Sequence, residues 1–96
     1  MRRLTARAAG TPGYRVDGGT ISPEAGAGGF VGEAIDRLGA FETLWEDLLR
    51  RQRDISDRLD TLRRDGREKT CEFRQLFAEK LQNSQILSLF ELYGLR

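Results

Sequence analysis

The chain has 96 residues, with 16 Lys or Arg against 15 Asp or Glu, a formal net charge of +1, one cysteine and no histidine. That length holds one domain at most, and the near-neutral balance lacks the basic footprint that drives binding to a phosphate backbone. With no histidine and only Cys71, the usual zinc ligand sets, an intrachain disulfide and the commonest general base are all excluded.

The opening Met1-Arg2-Arg3-Leu4-Thr5-Ala6-Arg7 is basic and free of acids until Asp17, a composition shared with organellar presequences. It has no clear apolar helical face, and no apolar stretch of the secretory type follows. Eight of the eleven glycines fall at or before Gly32, together with Pro12 and Pro23. Tyr14, Val16 and Ile21 are enough for a short extended piece but too few for a sheet. Residues 1–33 are therefore expected to be a disordered Gly/Ala/Arg-rich tail, because such a composition cannot offset the entropy of ordering. The run Gly26-Ala27-Gly28-Gly29-Phe30-Val31-Gly32 fails as a dinucleotide-binding loop: Val31 stands where the third glycine belongs, and no strand is expected to lead in.

From about residue 34 the pattern changes. Leu38, Phe41, Trp45, Leu48, Gln52, Ile55, Leu59 and Leu62 alternate steps of three and four, which is the a/d seam of a heptad helix. Leu44 and Leu49 flank the seam and widen its first half. On the opposite face, Glu46 with Arg50, Asp47 with Arg51, Asp54 with Arg58 and Asp60 with Arg64 are acid-before-base pairs four residues apart. Helix one is predicted over about 34–64.

A turn is predicted at 65–67, where Gly66 can adopt the left-handed conformation that ends a helix and Arg63 and Arg64 complement its last carbonyls. Extending the first heptad frame past Gly66 selects Lys69, Phe73, Leu76, Lys80, Asn83, Leu87 and Phe90. Too many of these are polar for a continuous seam, so the frame is read as broken and a hairpin is favoured over one long helix. Helix two is predicted over about 68–93. Its turns from Ile86 to Tyr93 are apolar on almost every side, more than one facing helix can cover.

Each candidate for chemistry has a simpler structural reading. Cys71 sits in the first turn of helix two beside Lys69, but without a base it has no nucleophilic partner, and as a single thiol it fits a reducing compartment. Trp45 lies on an uninterrupted seam and reads as core. Gln52 reads as a polar a-position residue that sets register. The acids fall in ion-pair patterns, and the Glu-x-x-His motif of a carboxylate-bridged metal site is absent.

The expected fold is all-α: an antiparallel, coiled-coil-like hairpin over 34–96 that dimerises into a four-helix bundle. Its hairpin seam is assigned to Phe41, Trp45, Leu48, Ile55, Leu59, Phe73, Phe77, Leu81 and Leu87. Its association interface is assigned to Leu44, Leu49, Ile86, Leu89, Phe90 and Tyr93. The expected function is non-enzymatic protein–protein interaction or self-assembly in the cytoplasm, with no cofactor, metal, membrane or small-molecule substrate. A homodimer or a helical protein is the expected partner. The alternatives are a subunit of a hetero-oligomer using the same hairpin, or a nucleic-acid-associated regulator contacting its target through Arg50, Arg51, Arg53, Arg63, Arg64, Arg67 and Lys69.

Overall fold

A computed structural model describes residues 1–10, 12–21 and 28–95. In chain order these form strands β1 (Thr5–Arg7) and β2 (Tyr14–Asp17), a 3₁₀ turn (Gly18–Thr20), strand β3 (Gly29–Val31), and helices α1 (Glu33–Arg64) and α2 (Cys71–Leu92). By its internal contacts the chain divides into two compact units, Met1–Leu44 and Trp45–Arg96.

The first unit corrects the expected all-α fold and its disordered tail. Its strands form an antiparallel sheet of order β1-β2-β3, with Thr5 opposite Val16 and Val16 opposite Phe30. Ala8 donates to the Gly13 carbonyl at 3.1 Å to close the first hairpin, and Gly10 supplies a positive φ of 76° within it. In β2, Tyr14 and Val16 are buried while Arg15 and Asp17 are exposed, the alternation of a half-buried strand.

A sheet this small is marginal alone, and it persists because it has the first turns of α1 to lie on. Tyr14 packs where Gly39 has no side chain: a Cβ there would overlap the tyrosine ring. The Tyr14 amide donates to Asp36 Oδ1 at 2.9 Å, and its hydroxyl is 2.9 Å from Thr43 Oγ1. The guanidinium groups of Arg3 and Arg7 stand 5.5 and 4.6 Å from the ring centroid. Glu42 is the other anchor. Its carboxylate is buried and accepts from the Leu4 amide at 2.6 Å, the Thr5 amide at 3.1 Å and the Thr5 hydroxyl at 2.5 Å. Of the glycine-loop candidate, Gly26 and Ala27 lie outside the described residues, and Gly29-Phe30-Val31 is β3.

In the second unit the two helices run antiparallel around Gly66. The turn is a Schellman motif: Gly66 takes φ 69°, its amide donates to the Arg63 carbonyl at 3.0 Å, and the Arg67 amide donates to Leu62 at 2.8 Å. Thr70 then caps α2, its hydroxyl accepting from the Phe73 amide at 3.2 Å. Gly94 repeats the device at the far end, with Leu95 donating to Phe90 at 2.8 Å. Ile55, Leu59 and Leu62 are fully buried on α1.

Apart from Glu72 and Glu79, which pair with arginines of α1, the half-buried and buried positions on α2 are Phe73, Leu76, Lys80, Asn83, Leu87 and Phe90. These continue the heptad frame of α1 across the turn, polar members included. In the middle of the seam, Gln52 Nε2 donates to the Lys80 carbonyl at 3.0 Å and to Ser84 Oγ at 3.1 Å. Gln52 Oε1 is buried without a partner in the structure.

Candidate functional site

Once Phe73, Leu76, Lys80, Asn83, Leu87 and Phe90 are assigned to the seam with α1, heptad logic leaves the other positions of α2 to solvent. Several of those positions are apolar. Ala78, Leu81, Gln85, Ser88 and Leu92 repeat at steps of three and four on the far side of the helix, and all are exposed. Leu81 retains 54% of its surface, Leu89 58%, Leu92 76% and Tyr93 77%. Phe77 is exposed beside them, its ring stacked on Phe73 with centroids 6.3 Å apart. From Leu81 to Leu95 the only charged residue is Glu91. Thus α2 carries two seams on opposite sides, whereas the outer face of α1 is charged in the ordinary way.

The inner side is pinned by ion pairs that orient this outer stripe. Arg51 makes two hydrogen bonds to Glu79, at 2.6 and 2.9 Å, and Arg58 makes two to Glu72, at 2.7 and 3.2 Å. The Arg51 hydrogen bond draws the Glu79 carboxyl below its usual range, and Arg58 does the same to Glu72. Arg63 stands over the Phe73 ring at 5.3 Å and shields that end of the seam.

The interface residues read from sequence are distributed as follows. Ile86 and Leu89 are exposed on α2 and Tyr93 at its C-cap, Leu44 is exposed at the end of the first unit, Leu49 is half-buried and Phe90 is buried. Among the expected seam residues, Ile55 and Leu59 are buried, and Trp45, Leu48, Phe73 and Leu87 are half-buried. Phe41, Phe77 and Leu81 keep 37%, 42% and 54% of their surface exposed. By spacing, Phe77 and Leu81 group with the inner seam and Leu92 with neither set, whereas the structure exposes all three. The signal that separates them is the second three-four spacing through Ala78, Leu81, Gln85, Ser88 and Leu92.

Cys71 is free and exposed in the first turn of α2. Among the described residues, no group of three or more His, Cys, Asp or Glu side chains could hold a metal ion, and no helix is long and apolar enough to cross a membrane. Of the cations considered for nucleic acid, Arg50, Arg51 and Arg63 are engaged in ion pairs with Asp47, Glu79 and Asp60. No family model, curated protein or solved structure matches the chain.

Proposed function

We propose that the chain is a small non-enzymatic module for protein–protein interaction or self-assembly, acting through the outward face of α2. The observation that carries this reading is the exposed stripe of Phe77, Leu81, Leu89, Leu92 and Tyr93 on a helix whose other side is already occupied by α1. Contiguous apolar surface of this kind on a polar chain marks an association site. The reading requires no cofactor, metal or small-molecule substrate, and the single unpaired cysteine suits a reducing, cytoplasmic setting. A subunit of a hetero-oligomer would use the same face. Nucleic-acid binding is the weaker reading, because nearby acids already neutralise several of the candidate cations.

A photo-crosslinking amino acid at position 89, introduced in the protein's native cells, tests the reading. A discrete covalent adduct is expected from position 89 and from position 81. A probe at Asp57, on the charged face of α1, should give none. Absence of an adduct from both α2 positions in a chain of undiminished helicity would overturn the proposal.

A further inference from the structure

We infer that the outward face of α2 is covered by the same helix of a second copy, packed antiparallel about a twofold axis level with Ile86 and Leu87. This rests on the reading of that face as an association surface and names its occupant. The stripe Ala78, Leu81, Gln85, Ser88 and Leu92 is an a/d seam in its own right, and antiparallel helices pair each a position of one with a d position of the other. That rule sets Gln85 beside Ser88 of the second copy and Leu81 beside its Leu92. By the twofold, each pairing occurs twice. The result is a central polar layer whose amide and hydroxyl can hydrogen-bond, bracketed by leucine layers. A slip of one heptad in either direction would place Gln85 against Leu95 or Leu81, so the polar layer defines the register.

Charge and area both favour a second copy. The face is almost uncharged between Leu81 and Leu95, so it meets its own image without repulsion and offers little for a strongly charged partner to recognise. A parallel pairing would also bring Arg74, one heptad before Leu81, against Arg74 of the other copy; the antiparallel one carries it past the end of the seam. With aromatic side chains of roughly 200 Å² and leucines somewhat smaller, Phe77, Leu81, Leu89 and Leu92 leave on the order of 400 Å² exposed. Ala78, Gln85 and Ser88, all exposed, add to this and bring it toward the ~600 Å² per partner at the low end of stable interfaces.

Sedimentation of the full chain at 1–100 µM, beside Leu81→Glu/Leu92→Glu, provides the first test. A discrete dimer is expected for the wild type. The double variant should keep its helicity and dimerise about 100-fold more weakly, because each copy then buries unpaired charge. The register is read separately in a Cys71→Ser background by mild oxidation of Leu81→Cys and Leu92→Cys chains, alone and mixed. Covalent dimer should form in the mixture and not in either chain alone. Self-linking of each single-cysteine chain would establish a parallel pairing and overturn the inference. A wild type that stays monomeric at 100 µM would also overturn it. A monomer whose probe at position 89 still captures a different protein sinks the second-copy inference while leaving the association reading intact; a monomer with no adduct removes both. If the charged double variant unfolds, the cysteine experiment still decides.

Discussion

The two units of this chain are held together by opposite means. In Met1–Leu44 the decisive contacts are polar and converge on a few helix positions: Asp36 takes the Tyr14 amide, Glu42 takes the Leu4 and Thr5 amides, and Gly39 makes room for the Tyr14 ring. In Trp45–Arg96 the buried residues are mainly aliphatic and aromatic and are spread along a seam, with ion pairs at its margins. A short sheet has too little apolar area to hold itself by burial, so it depends on satisfying buried backbone donors. A helix satisfies its own backbone and depends on the area it buries. Perturbations should therefore separate the units by type of chemistry.

The largest effect is expected from Leu59→Ala in the second unit. Leu59 is 1% exposed, and its truncation should cost about 3 kcal/mol, seen as an earlier helical melt by circular dichroism. A loss under 1 kcal/mol would mean that the seam is not what holds the hairpin.

Gly39→Ala should act on the first unit and with mixed sign. It adds about 1 kcal/mol of intrinsic helix propensity to α1, yet its new methyl would overlap the Tyr14 ring. The net expectation is displacement of the sheet at a cost of about 2 kcal/mol, read as fast amide exchange at Val16 with the amides around Leu59 still protected. Retained protection at Val16 would show that Tyr14 does not depend on the gap.

Acid should separate the units more gently. Burial pushes the Glu42 carboxyl up, but hydrogen bonds from the Thr5 hydroxyl and the Leu4 and Thr5 amides, with the nearby Arg3 charge, bring it below its ordinary 4.5. A carboxyl lowered on folding contributes stability that is present above that ordinary value and is lost as the pH falls through the folded one. Protection of the Thr5 amide should therefore fall below about pH 4.5, and Glu42→Gln should be weaker at neutral pH with a flatter acid limb. An unchanged acid limb in that variant would assign the transition to another group.

The smallest effect belongs to Arg51→Ala and Glu79→Ala. The pair has good geometry but lies on the surface, where solvent screens it. The two single variants and the double should melt within error of the wild type at physiological salt. A clear coupling between them would promote the ion pairs from margin to scaffold.

Much of the second unit was legible in the residues themselves. The three-four spacing from Leu38 to Leu62 marks α1, and Gly66 with Arg63 and Arg64 marks its end, because helix periodicity and left-handed caps are local properties. The inner face of α2 was harder to read. Lys80 and Asn83 are polar and count against a seam, and only the folded hairpin shows Gln52 reaching the Lys80 carbonyl and Asn83 buried. Phe77 and Leu81 are spaced so that they fit the inner seam as well as the outer stripe, and their exposure in the structure decides between the two. The outer stripe is readable once those two residues are released from the inner seam.

The sheet was not legible, although one sign was present. Gly39 interrupts an otherwise strong helical run at a cost of about 1 kcal/mol, and such a glycine usually makes room for something packed against it. What packs there comes from more than twenty residues earlier in the chain, from a segment whose composition alone argues for disorder. By itself the sequence determined the two helices, the Gly66 stop between them and the surplus of apolar surface on α2, since these follow from spacing between near neighbours. Only the tertiary structure decided that the first residues form strands and which side of α2 is spare. Both depend on contacts between residues distant in sequence, and composition carries no record of those contacts.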